Sequence, residues 1–183
     1  MTHDDRLNDP PKVEWEGKYI RIVTRGGWEY VERCGGVSAV VILAEHEDKI
    51  ILIEQSRVPL RGRICLELPA GLIGDEDDKG VEETAVKELE EETGFTAARI
   101  ERLGEFFSSP GMVAEGFQLV RAHGVRPCGS PVEEGIEVRL VERERIAQFV
   151  AERRAAGIAI DVKVLLLLAS SILPAGSWGG GGR

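Results

Sequence analysis

No two of the three cysteines, Cys34, Cys65 and Cys128, form a C-x-x-C pair, and their odd number and wide spacing argue against a disulfide framework or a structural zinc site. They read as reduced thiols, partly buried, in a cytoplasmic protein. The three histidines, His3, His46 and His123, have no partner at ligand spacing and receive no role. Long apolar runs are also missing. The longest, "VLLLLASSIL" (164–173), falls well short of the ~20 residues that span a bilayer and reads as a buried helix. The opening "MTHDDRLNDPPKVEWEG" carries no apolar run of signal-peptide type, so no membrane partner is expected. Positive charge is in deficit: 23 Lys and Arg against 32 Asp and Glu leave a formal net charge of −9. That argues against a bare polyanion-binding surface and against nucleic acid as a partner. Small phosphorylated ligands stay open, because a metal ion can invert the local field. No internal repeat is present.

What remains is organised as alternating strand-like and helical stretches. Residues 1–12, with Pro10-Pro11, read as a flexible arm. Residues 13–34 hold β-rich runs around Gly26-Gly27, a hairpin signal. The apolar run Val37–Leu43 is followed by a polar turn at Glu47-Asp48 and a second strand from Ile50. "RICLELPAG" reads as a strand closed by Pro69 and Gly71. After a polar loop, "LIGDEDDKG", a helix is expected over about 81–93, with Ala85, Val86, Leu89 and Thr93 inward and Gly94 as its stop. Three strand-like segments follow, then two helices at about 143–156 and 161–172, with Asp161 as N-cap of the second. The tail 175–183 reads as disordered. A main domain over 35–174 with helices inserted between strand groups points to an α/β or α+β class.

The helix at 81–93 poses a question. "VKELEEETGF" places Glu88, Glu90, Glu91 and Glu92 in one short stretch, although like charges on neighbouring helix positions repel. Glu88, Glu91 and Glu92 share a face, Glu90 points elsewhere, and Lys87 is expected to angle away. A solvated acidic face is the ordinary reading of such a run taken alone. The sharper reading is a hard-cation site, suited to Mg2+ or Mn2+ with water and phosphate oxygens completing the shell.

The surrounding residues favour the second. Gly71 followed by "VKELEEETGF" resembles the Nudix box, G-x5-E-x7-R-E-U-x-E-E-x-G-U with U apolar. Glu88, Leu89, Glu91, Glu92, Gly94 and Phe95 match it. Lys87 stands where the family has Arg, and the stretch from Gly71 to Lys87 is two residues longer than the pattern. Glu76 is the glutamate nearest the middle position counted from Gly71, Glu82 and Glu83 are alternatives, and counting back from Lys87 lands on Lys79. The resemblance implies a Nudix-fold α/β/α sandwich with a mixed sheet, plus a small N-terminal antiparallel sheet. It also implies that Glu88, Glu91 and Glu92 hold divalent metal against a diphosphate.

"EQSRVPLRGRICLELPAG" resembles the ADP-ribose pyrophosphatase and nucleotide-sugar branch. That resemblance implies substrate contact by Arg57, a place near the metal for Glu67, and metal ligation by the Ala70 carbonyl. "SSPGMVAEGF" is similar to a loop of the same branch that puts Glu115 near a ribose or the metals. "VEEGIEV" resembles the loop supplying a catalytic glutamate that orients or deprotonates water. Glu134 is the first choice there and Glu133 the second, with Glu92 as a further catalytic candidate. The N-terminal strands would form a homodimer, with Trp28 stacking on adenine and Arg33 reaching the ligand. The activity implied is Mg2+-dependent hydrolysis of ADP-ribose, or a similar ADP-sugar, to AMP and ribose 5-phosphate. A GDP-mannose type of substrate is the alternative, and a non-catalytic nucleotide sensor is the least supported reading because all three helix carboxylates are present.

Overall fold

The structure is a computed structural model, and it describes residues 5–74 and 80–168. Glu76, Lys79, the tail 175–183 and the end of the expected final helix lie outside the described residues. The first strands are β1 (Lys12–Glu16), β2 (Ile20–Arg25) and β3 (Trp28–Arg33). They pair in order as an antiparallel sheet, and Gly26 and Gly27 turn β2 into β3 at φ of 54° and 81°. These positive values are what the hairpin twist demands and what glycine allows. β1 extends the strand pair expected around the glycines, with its five residues all exposed.

The body follows as β4 (Ser38–Leu43), β5 (Glu45–His46), β6 (Lys49–Arg57), β7 (Arg63–Glu67) and β8 (Ala70–Ile73), then α1 (Val81–Thr93). After it come β9 (Phe95–Thr96), β10 (Arg99–Phe107), β11 (Gly116–His123), β12 (Arg126–Pro127), β13 (Ile136–Glu142), α2 (Ile146–Ala155) and β14 (Ala159–Ile160). One sheet runs β10-β11-β4-β8, with β11 parallel to β4. A second runs β13-β6-β7-β14, with β5 on β6 and β14 parallel to β7. β9 and β12 form a short pair.

The period-2 alternation of strands decides the layering. In β4 and β11, Val41 and Leu119 face a core shared with Leu52, Leu66 and, from α2, Ile146 and Val150. Their neighbours Val40, Ile42 and Val120 face the other way, against Ala85 and Leu89 of α1. Helices therefore cover both faces, as the sandwich reading expects. Leu89 is fully buried, and withdrawing such a side chain from water is worth roughly 2–3 kcal/mol.

Three local expectations need correction. Gly71 does not close a strand; it lies inside β8, where it pairs with Val40. The helix at 143–156 begins as a 3-10 turn, Arg143–Arg145, and becomes α-helical at Ile146. The final segment is 3-10 over Val162–Leu168, although Asp161 does cap it, accepting the Lys163 backbone N–H at 2.8 Å.

Candidate active site

α1 carries its charge against its own dipole. Glu82 and Glu83 suit the first turn, but the last turn holds Glu90, Glu91 and Glu92 and no basic residue. The chain relieves part of this through the loop after β12. The Cys128 N–H donates to the Gly94 carbonyl at 2.8 Å, and the Val132 and Glu133 N–H groups donate to the Glu91 carbonyl at 2.8 and 3.2 Å. Carbonyls left unpaired at a helix end need such donors. Capping α1 in this way brings Glu133 alongside it. Oxygens of Glu88, Glu91 and Glu133 lie within 4.8 Å of one another, the one such acidic group among the described residues.

Gly94 makes the docking possible. It sits at φ 73°, and a Cβ there would meet the Gly129 carbonyl oxygen at 2.6 Å. Gly94→Ala is expected to cost about 1–2 kcal/mol and lower the melting temperature by about 3–6 °C in a thermal melt. A melt within a degree of wild type would mean that the loop is not seated on the helix end.

The cluster lines a cleft of 470 Å³ with Arg57, Ala70, Gly71 and Glu92. β8 crosses close to the helix because Gly71 has no side chain; a Cβ there would overlap the Glu88 carboxyl. Glu92 is buried beneath and accepts the Ala70 N–H at 2.9 Å. Burial pushes its carboxyl up to about 8; the Ala70 N–H opposes this, and the charges of Glu133 and Glu88 add to it. Arg57 is clamped bidentately by buried Glu67, at 2.7 and 2.5 Å, which fixes the guanidinium plane.

A family model described as NUDIX domain matches residues 34–159. This chain belongs to the Nudix hydrolases. It is 34% identical over 130 residues to the methanol dehydrogenase activator of Bacillus methanolicus, covering 69% of this chain and 68% of that protein. It is 41% identical over 87 residues to the ADP-ribose pyrophosphatase of Bacillus subtilis (strain 168), covering 48% and 44%. Among solved structures, an ADP compounds hydrolase superposes with a TM-score of 0.66 over 91% of this chain and 94% of that one, at 20% identity, which establishes the shared fold. As a member of that family the protein is a hydrolase.

Glu88 and Glu91 both line the cleft from α1, and three expectations of placement change. Lys87 does not angle away: its Nζ lies 3.6 Å from Glu91 Oε2, one turn along. Glu133, not Glu134, joins the cluster and lines the cleft; Glu134 is exposed and does not line it. Glu67 faces Arg57 and a neighbouring cavity instead of the carboxylates. Glu92 lies outside the three-oxygen group, lines the same cleft and accepts the Ala70 N–H that holds β8. Of the alternatives for the middle glutamate, Glu82 is tied to Arg102 at 2.5 Å and Glu83 is exposed; neither lines the cleft.

The remaining substrate candidates fall in two other places. Arg33 and Glu115 bind each other at 2.5 Å across a chain separation no local pattern reveals. Trp28 lines a separate 330 Å³ cavity with Tyr30, Pro110 and Val113, and the Arg6 guanidinium lies 5.5 Å from its ring centroid. Arg6 is the contact sequence reasoning missed, because it came from a segment read as a loose arm. No pattern in the sequence pairs the two segments; the close approach rests on Gly26, where a Cβ would strike Arg6.

Proposed function

We propose that this Nudix hydrolase cleaves the diphosphate of ADP-ribose, or of a closely similar ADP-sugar, to AMP and ribose 5-phosphate, with Mg2+ as cofactor and Mn2+ able to replace it. The observation that carries the reading is the convergence of Glu88, Glu91 and Glu133 within 4.8 Å beside the glycine of β8. Three hard oxygen donors from a helix and a docked loop fit a divalent cation that keeps water and phosphate oxygens in its shell. These residues would hold it. A cation bound there supplies Lewis acidity toward the diphosphate and lowers the pKa of a coordinated water.

This chain's other groups would divide the remaining tasks. Arg57, held flat by Glu67, offers a fixed cation to a phosphate oxygen. Glu92 holds β8 against α1, so the Ala70 carbonyl keeps its place at the cleft. Glu133, in preference to Glu134, orients the attacking water from the loop side. The base would stack on Trp28 opposite Arg6, with Arg33 and Glu115 near the ribose. The name of the Bacillus subtilis relative supports ADP-ribose as the first substrate to try. β1 and β2 expose Trp15, Ile20 and Ile22 on one face, an apolar patch suited to a second copy of the chain as a homodimer.

AMP release from ADP-ribose with Mg2+, measured against ADP-glucose and GDP-mannose, tests the substrate. Trp28→Ala is expected to raise KM for ADP-ribose about tenfold with kcat within twofold, the pattern of lost uniform binding. An unchanged KM together with loss of the dimer in light scattering would make Trp28 a packing residue instead.

A further inference from the structure

Beside the carboxylate cleft lies a second cavity of 530 Å³, which shares Arg57, Ala70, Gly71 and Leu72 with it. The two differ in charge. The cleft is lined by four carboxylates, Glu88, Glu91, Glu92 and Glu133, against Arg57 and Lys87. The second cavity has three cations and three anions, and each cation is already matched. Arg33 lies 2.5 Å from Glu115, Arg57 2.5 Å from Glu67 and Lys163 2.6 Å from Asp161. Apart from the Arg57 edge that it shares with the cleft, a phosphate entering it would find only cations already offset by a carboxylate. A neutral, hydroxyl-bearing group would find donors and acceptors side by side, and charged partners make the stronger hydrogen bonds.

The Asp161–Lys163 pair is the least explained of the three. It comes from the far end of the chain, and its side chains keep 19% and 21% of their exposure. Its placement is rigid. The Asp161 backbone N–H donates to the Leu66 carbonyl at 3.0 Å, directly after β14 pairs with β7. One carboxylate oxygen caps Lys163 N–H at 2.8 Å and the other meets its Nζ. Lys163 Nζ is held 5.8 Å from the centroid of Phe117, whose ring lines the cavity with Ala39 and Val41. An apolar floor edged by a fixed donor–acceptor pair suits a sugar ring, with its C–H face down and its hydroxyls to the side.

We infer that this second cavity is a sugar subsite in which Asp161 and Lys163 read hydroxyl groups. The inference rests on the reading above, since it takes the ligand to be a nucleoside diphosphate sugar. The ring could be the nucleoside ribose or the distal sugar, and the test separates them.

The full chain is titrated by calorimetry in EDTA, where binding is read without turnover. The ligands are ADP-ribose, ADP, 2′,3′-dideoxy-ADP and inorganic diphosphate. For a distal-sugar site, wild type binds ADP-ribose about tenfold tighter than ADP. That ratio falls to near one in Asp161→Asn and in Lys163→Met, and Lys163→Arg keeps most of it. For a nucleoside-ribose site, the ratio that collapses is ADP over dideoxy-ADP. If neither ratio moves in variants that melt like wild type, or if diphosphate loses as much affinity as the sugar ligands, the subsite assignment is wrong. Failure of the proposed activity is separate: it appears as no AMP with Mg2+, whatever the binding ratios are.

Discussion

Glu91→Gln is expected to lower turnover of a nucleoside diphosphate sugar by about 10²–10³-fold at ordinary Mg2+ while the protein stays folded. The carboxylate contributes one of three oxygens within 4.8 Å of one another, and an amide of the same shape cannot carry the charge. Stability should barely fall. The glutamate sits in the last turn of α1, where the helix dipole disfavours it, and its partner Lys87 is a partly exposed contact at 3.6 Å of little energetic worth. The melting temperature should therefore stay within about 2 °C of wild type. Near-normal turnover at ordinary Mg2+, or a collapse of the fold, would show that Glu91 is not part of the cation site.

Glu54→Gln is expected to do the reverse, costing stability at a residue that does not line the cleft. Glu54 lies on β6, 3% exposed. It accepts from Arg153 of α2 at 2.5 Å and from Arg139 of β13 at 2.8 Å, joining a strand, its neighbour and the helix packed on them. Burial by itself would raise its carboxyl; the hydrogen bonds from Arg153 and Arg139 outweigh it and hold the group below its ordinary value. Removing the charge leaves two guanidinium groups, about a third exposed, with one partner fewer. After that exposure is discounted, the loss is about 2 kcal/mol, or roughly 4–8 °C in a thermal melt. Because the folded value is depressed, the contribution is complete above the unfolded carboxylate pKa of about 4.3 and disappears as pH falls through the folded value. The gap between wild type and variant should therefore be full at pH 7 and close on acidification below about pH 4. A gap that is constant with pH would assign the loss to packing.

The residues that sequence could place were those whose partners lie within one element. Glu88 and Glu91 share a helix face by spacing, Gly94 ends that helix, and Gly26-Gly27 turn a hairpin. The residues it misplaced depend on contacts between distant segments. Glu133 and Glu134 are adjacent in a polar turn and cannot be told apart by pattern; the hydrogen bonds that seat the loop on the Glu91 carbonyl put Glu133, not Glu134, beside α1. Glu67 looks like any strand acid until β6 and β7 pair Arg57 with Arg63 and bring the Arg57 guanidinium over it. Lys87 reaches Glu91 because one-turn spacing, not sequence adjacency, decides where a long helix side chain lies.

The loop that supplies Glu133 is also what terminates α1. If its hydrogen bonds to the Gly94 and Glu91 carbonyls break, the same opening unseats Glu133 and frays the turn that carries Glu91. Two of the three carboxylates then disperse in one step. Local opening of this kind makes the site behave as a single cooperative unit, either fully assembled or lost, without a half-built state.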